Sequence, residues 1–600
     1  MNAADPRSWG IEEGYHDYQG VWRDAPRASI EAFLDVMGAS AEGPEEPNVL
    51  IVHPGDDIGI AGEIILEDGG RTAIEGVVRD VPLGYHTFYG RSRETRLIVS
   101  PGAGYLQGGM RKWGWALQLY ALRSSRSWGI GDLSDLAECT RWAISQGAGT
   151  LLVNPLHAAA GDQASPYFPT SRCYRNPIYL SIDDLTGAAE VEGLAELRAQ
   201  GRALNSDRRI DRAAVNRLKS EALRLVYERA GRDPAFDDYV RSEGELLESF
   251  AAFEVLRDLH GTDWTKWPGE YRRPDRGAVG AVCKEHPDAR FQMWLQYRLD
   301  RSLTEAGASV DLVQDLAVGI DPLGFDAWYW QDQVAQGISV GAPPDEFNTA
   351  GQSWGVTTFD PWALRAAAYE PFVRTIRANL TGGGLRIDHV MGLFRLFWVP
   401  PGADASEGTY VRYPAHDLLD IVALESHRAE AFVVGEDLGT IEDGVREELA
   451  HRRFLSYKVL WFEPGDPSGY PTTALATVTN HDLPTIPGMW TGADLEAQRA
   501  AGLHPNEGSE HAIRGRLRDM AGAADDAPVE EVVERAYRLL ARAPSMILTA
   551  TFEDALGVEE RPNQPGTTDE RPNWSLALPL PLEAIEEHDG PQRIAEALGR

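Results

Sequence analysis

The sequence predicts an α/β chain: a (β/α)8 barrel with inserted helical subdomains, preceded by a small β-rich domain. Three observations lead there. Eight short apolar runs recur between Trp113 and Asp554. Most are separated by stretches long enough for a helix. Many end in a polar or charged residue. Near-continuous apolar strands alternating with helices indicate a parallel sheet covered on both faces. Eight of them match a closed barrel, whose active site lies where the strands end. An open, doubly wound sheet is the alternative.

The 600 residues exceed one ordinary hydrophobic core, and the patterning divides them. Residues 1–108 read as the β-rich N-terminal domain. Ser29 precedes Ile30, Phe33, Leu34 and Met37 at helical spacing, and Gly38 stops the run. Strand patterns follow in NVLIVHPG, in GEIILEDGGRTAIEG with a turn at Asp68-Gly69, and in TRLIVSPG. SPGAGYLQGGM reads as a linker, because its glycines lack the strand–turn–helix context of a nucleotide loop.

Residues 109–600 read as the barrel. Its runs are WALQLYAL, TLLVNPLH, VDLVQDLAVGID, GLRIDH, AFVVGED, YKVLWFE, ATVTNHD and SMILTATFED. His157, Asp321, Asp388, Glu436, Asp482 and Glu553 fall at or near the ends of these runs. Roughly 150 residues separate the second run from the third, far more than one connection needs. A largely helical insertion at about 185–305 accounts for them. Val215, Leu218, Ala222 and Leu225 share one helical face there, as do Phe291, Leu295, Leu299 and Leu303.

Composition excludes several classes. With 57 basic and 92 acidic residues the net charge is −35, which argues against nucleic acid and anionic membranes as partners. The three cysteines, Cys139, Cys173 and Cys283, are far apart, and no CxxC or HExxH occurs. No disulfide framework and no metal are expected. The first residues lack a signal-peptide pattern, and no apolar run approaches the length of about 18 that a membrane span needs. A cytoplasmic location is the expectation, and nothing marks an oligomeric state. The 17 Trp and 20 Tyr suit the C–H faces and hydroxyl rims of sugars, although such residues also fill large cores.

Three short segments carry candidate chemistry: GGGLRIDHVMGLFRLFWVP at Gly382–Pro400, GEDLG at Gly435–Gly439 and NHD at Asn480–Asp482. Retaining cleavage of a glycoside uses two carboxyl groups about 5 Å apart, one nucleophilic and one acting as acid and then base. A nucleophile must stay ionised, which a nearby guanidinium favours. Asp388 fits, because Arg386 lies two residues earlier and on a strand shares its face. A structural Arg–Asp pair is the plainer alternative. Glu436 fits the acid; the following Asp437 could orient it or electrostatically hold its proton. The plainer alternative there is an acidic turn before a helix. Asp482 could grip ring hydroxyls and stabilise an oxocarbenium-like transition state, or simply cap the next helix.

With these segments SRSWGIGDL at 125–133, NPLH at 154–157, SPYFPTSRCYRNPIYL at 165–180, APPDEFNTAGQSWG at 342–355, NHDLPTIPGMW and NQPGT at 563–567 occur in order. Over about residues 110–580 the chain resembles the amylomaltases, or 4-α-glucanotransferases, of glycoside hydrolase family 77 in the α-amylase clan. The resemblance implies that Asp388 is the nucleophile, Glu436 the acid/base and Asp482 the transition-state stabiliser. It implies that Arg386 holds Asp388, that His389 and His481 bind sugar hydroxyls, and that Tyr167 stacks on the transferred sugar with Asn563 nearby. A loop at 340–356 would arch over the cleft, with Gln352 and Trp354 touching the glucan. Pro343-Pro344 would stiffen that lid, and excluding water would let a sugar hydroxyl intercept the intermediate. Gly435 stands where other members have alanine, and Val390-Met391 replaces a Phe-Arg pair of some members. The implied activity is transfer of an α-1,4-glucan segment to the 4-hydroxyl of glucose or another glucan, with no cofactor and with maltooligosaccharides as substrates. A hydrolase with the same residues, or a non-catalytic glucan-binding protein, is the alternative.

Overall fold

The computed structural model describes residues 4–17, 19–45, 48–90, 93–344, 351–568 and 570–599. Among the described residues eight parallel strands close into a barrel. They are β1 (Lys112–Leu117), β2 (Thr150–Val153), β3 (Asp311–Leu316), β4 (Gly384–Ile387), β5 (Phe432–Gly435), β6 (Leu455–Val459), β7 (Ala474–Thr477) and β8 (Ile547–Thr551). Their order around the barrel is the order in the chain.

Each of the eight apolar runs supplies one strand, and each strand is shorter than its run. After β1 the chain turns into a 3-10 helix at Leu119–Ala121. β3 stops at Leu316, so Asp315 lies within the strand and Asp321 beyond it. Every residue of β2, β4, β5, β7 and β8 is buried, which is why these runs show no polar alternation. Gly114 of β1 pairs with Thr150 of β2, and a Cβ on it would lie 1.7 Å from the Thr150 carbonyl oxygen. Trp115, fully buried, stacks on Phe552 with ring centres 4.5 Å apart.

Contacts group the chain into two compact units. The first comprises Met1–Gly108, Val318–Pro322 and Trp330–Tyr457 and contains β4 and β5. It includes a five-stranded sheet in the order Val49–Val52, Glu94–Val99, Gly84–Tyr89, Asp57–Ile65, Arg71–Val77. Ile64, Val78, Leu97 and Val99 lie in its buried core. The turn at Asp68-Gly69 forms as expected, with Gly69 at φ 86° and Asp68 accepting the Gly70 amide. This sheet is tied to helix Ala415–Ala429: Ser100 Oγ donates to the Asp420 carbonyl, and His53 Nε2 lies 2.9 Å from the Asp420 carboxylate. The first helix starts at Arg27 after Pro26, two residues ahead of Ser29, which is buried inside it rather than capping it. Pro26 has no N–H to satisfy and leads directly into the first turn.

The second unit comprises Gly109–Ala317, Leu323–Tyr329 and Lys458–Arg600. Its insertion is helical: Leu194–Ala203, Arg212–Arg229, Pro234–Glu243, Glu245–His260, Arg276–Glu285 and Pro287–Gly307. Phe291, Leu295, Leu299 and Leu303 are all buried, as are Val215, Leu218 and Ala222, with Leu225 half-buried. No helix among the described residues is long and apolar enough to cross a membrane.

Candidate active site

In the first unit β4 delivers Arg386, which is 2% exposed. Its Nη2 lies 3.0 Å from Asp388 Oδ1, and its guanidinium carbon lies 5.4 Å from the centre of the Tyr457 ring. The carboxylate and the aromatic face together offset the cost of burying this cation. β4 and β5 pair with Ile387 opposite Gly435, so Asp388 and Glu436 are the first residues past two matched strand ends. Immediately after Asp388, His389 adopts a left-handed backbone at φ 45°. That conformation is unfavourable for most L-residues, and here it is held by hydrogen bonds. The His389 amide donates to Glu436 Oε2 at 2.8 Å, and the Val390 amide donates to the Glu436 carbonyl at 3.0 Å. The other carboxylate oxygen of Glu436 accepts the Leu438 amide at 2.9 Å.

Burial pushes the His389 imidazole below its usual pKa, against the opposing pull of Glu436. A neutral ring with one donor and one acceptor nitrogen suits hydroxyl groups. Trp354 meets this ring edge-on at 5.8 Å, and its indole N–H donates to Gln352 Oε1 at 3.3 Å. Gln352 lies opposite Ala342 in a short antiparallel pair. These are the two roots of the expected 340–356 loop, whose residues 345–350 lie outside the described residues.

The Asp437 carboxylate is bonded elsewhere than to Glu436. It is fully buried, its Oδ1 accepts the Tyr457 amide at 2.7 Å, and its Oδ2 takes Arg446 Nε at 2.9 Å. Its job is to pin the start of β5's following loop to β6. Nor does Glu436 begin a helix, since the next one starts at Val445.

In the second unit Asp482 follows β7. Asn563 Nδ2 donates to its Oδ1 at 2.7 Å, and His481 Nε2 lies 3.3 Å from its Oδ2. Arg561 Nη1 holds the Asp482 carbonyl at 2.9 Å. The helix-cap alternative for Asp482 is excluded, because Thr485 caps Ile486–Thr491. Tyr167 stacks on His481, with ring centres 5.1 Å apart and planes 30° apart. Both rings lie against Trp574, at 5.3 and 5.2 Å. The Tyr167 hydroxyl donates to Asp315 Oδ2 at 2.7 Å, which fixes the ring's direction.

Asp315, Tyr457 and Trp574 are among the residues of these two groups that the sequence-based assignments lack. Asp315 ends VDLVQD, a strand-end position like the others, but the apolar run continues past it to Asp321. Tyr457 and Trp574 carry no signal in sequence, since an aromatic beside a site reads like one in a core. Trp574 is set by a left-handed backbone, φ 60°, whose carbonyl accepts Arg212 Nη2 and whose amide donates to the Pro562 carbonyl. Two other strand-end groups behave differently. Burial, reinforced by Arg172 and Arg175, lowers the His157 pKa to about 3, and its Nε2 accepts the Ala317 amide. Burial, reinforced by Asp554, raises Glu553 to about 7.

A family model for the 4-α-glucanotransferases, glycoside hydrolase family 77, matches residues 117–581. The chain belongs to this family. The 4-α-glucanotransferase of Mycobacterium tuberculosis is 41% identical over 581 residues, spanning 86% of this chain and 80% of the relative. That of Haemophilus influenzae is 32% identical, spanning 82% and 79%. The crystal structure of amylomaltase from Corynebacterium glutamicum matches with a TM-score of 0.86 and 29% identity, over 99% of this chain and 98% of that one. The family match begins at the last residue of β1 and covers β2 to β8, and the likeness to the Corynebacterium enzyme also takes in the N-terminal sheet.

Proposed function

We propose that Asp388, Glu436 and Asp482 are the nucleophile, the acid/base and the transition-state stabiliser of a retaining glucan transfer. The protein is a 4-α-glucanotransferase, moving α-1,4-glucan segments between chains. In the first step Asp388 attacks the anomeric carbon as Glu436 passes its proton to the departing 4-oxygen, and a covalent glucosyl-enzyme forms. In the second, Glu436 takes the proton of an acceptor's 4-hydroxyl, whose oxygen displaces Asp388. Two inversions give net retention. Asp482, held by Asn563 and flanked by His481, stabilises the positive charge that develops on the ring.

One observation carries this reading. The amide next to Asp388 is bonded to the Glu436 carboxylate, and the two residues stand at matched ends of neighbouring strands. A nucleophile and its acid partner need that side-by-side placement. Tyr167 supplies a stacking face, with His389 and His481 for hydroxyls and Gln352 with Trp354 at the loop roots for the glucan chain. Incubation with maltotriose tests the proposal. Transfer yields glucose and a ladder of longer oligomers, abolished by Asp388→Asn; equal glucose and maltose with nothing longer would mean hydrolysis, and undiminished activity of the variant would remove Asp388 from the reaction.

A further inference from the structure

The first unit also contains a cavity of about 750 Å³ to which none of the roles above is assigned. It lies between the N-terminal hairpin, Gly14–His16 paired with Trp22–Asp24, and segments that follow β4 and β5. We infer that this cavity is an accessory site for a linear α-glucan, with the Trp22 indole as its stacking platform.

Trp22 is 48% exposed, unusual for so large an apolar group, yet its ring is held in place. A Cβ on Gly14 would lie 2.7 and 2.9 Å from Cζ2 and Cε2 of the indole. Gly14 therefore seats one face of the ring as no other residue would. The indole N–H donates to Asp24 Oδ1 at 2.7 Å, and the His16 ring lies 5.0 Å away at 69°. A large aromatic face fixed in orientation but not covered is preorganised for a flat apolar partner, because little freedom remains to be lost on binding.

The charges around it define the partner further. Glu12 and Glu442 are each shared by Arg395 and Arg412, at 3.2 and 2.7 Å for Glu12 and 3.3 and 2.8 Å for Glu442. Asp443 and Glu448 also line the cavity, so its balance is acidic and draws no phosphate, and among the described residues no group of three or more His, Cys, Asp or Glu is placed to hold a metal ion. What remains is an aromatic face above polar groups that can donate to and accept from hydroxyls, the combination that recognises a neutral sugar ring. Thr440 and Glu442 belong to the segment that continues from Glu436. A long glucan is the occupant that serves such a position, and in this the inference rests on the proposed function.

Affinity electrophoresis in native gels containing amylose tests it, with maltotriose turnover measured alongside. Trp22→Ala should raise the dissociation constant for amylose about tenfold, roughly what loss of a stacking contact costs. It should leave maltotriose kinetics and the melting temperature unchanged, and Trp22→Tyr should retain most of the binding. Retardation of Trp22→Ala equal to wild type would overturn the site, as would a parallel loss of maltotriose turnover. If wild type binds amylose through Trp22 but does not rearrange maltotriose, the proposed function fails and the binding site stands.

Discussion

Replacing Glu436 by glutamine separates chemistry from architecture more cleanly than any other single change. Both oxygens of the Glu436 carboxylate accept backbone amides, His389 at 2.8 Å and Leu438 at 2.9 Å. A glutamine has one oxygen, so in either orientation its NH2 faces one of those N–H groups. One buried amide then loses its acceptor, at a cost of about 1–3 kcal/mol. The chemical loss is larger. A positioned general acid contributes about 10²- to 10⁴-fold, or roughly 3–5 kcal/mol of barrier. Maltotriose disproportionation should therefore fall by at least about a hundredfold. Release of fluoride from α-glucosyl fluoride needs no proton donor and should fall much less, leaving only the part due to the misplaced His389 turn. Initial rates of glucose and fluoride release measure the two. Equal losses on both donors would refute the acid role, and an unchanged melting temperature would refute the hydrogen-bond argument.

Other outcomes follow from the same geometry. Tyr167→Phe keeps the stacking ring but loses the 2.7 Å bond to Asp315; kcat/KM on maltotriose should drop about tenfold, as a bond to a charged acceptor implies, with Tyr167→Ala lower still, and equal activity of all three proteins would deny the ring its role. Glu553 has a folded-state pKa of about 7 against the usual 4.5, with burial the main cause. A carboxyl raised in the folded state contributes stability below pH 4.5 that fades as pH climbs through 7. Above pH 7 the cost is on the order of 3 kcal/mol, so Glu553→Gln should melt higher than wild type at pH 8 and show a flatter melting profile between pH 5 and 8; a lower melting temperature at pH 8 would contradict this. Trp115→Ala removes a fully buried indole stacked on Phe552 and should destabilise by about 3–5 kcal/mol in chemical denaturation.

The barrel was legible because its strands are short, apolar and unbroken, and because long intervals between them left room only for helices. Arg386, Asp388, Glu436 and Asp482 stood out as candidates for a related reason: a charged residue at the end of a buried strand is costly unless it is used or paired. What escaped was anything set by tertiary packing. Asp437 looked like a partner for Glu436 by adjacency, but side chains of consecutive residues at a strand end point apart, and it serves Tyr457 and Arg446 instead. Asp315 was hidden inside an apolar run that continues past its strand. Trp574 reaches Tyr167 and His481 only because the backbone adopts a left-handed turn that no residue type there announces. Ser29 satisfied the pattern of a helix cap while Pro26, three residues earlier, was already the boundary.

The hydrogen bond from the His389 amide to Glu436 has a consequence for how the enzyme could evolve. It ties the Glu436 carboxylate to the main chain beside Asp388, at the end of the seam where Ile387 pairs with Gly435. Inverting glycosidases hold their carboxyl groups about 6.5–9.5 Å apart rather than about 5 Å. Point substitutions around the sugar can change which glucan enters or how often water intercepts the intermediate. On the proposed roles, widening the gap without shortening one of the two side chains would mean breaking the seam between the two strands. Stereochemistry here is inherited with the fold, while specificity is left free to drift.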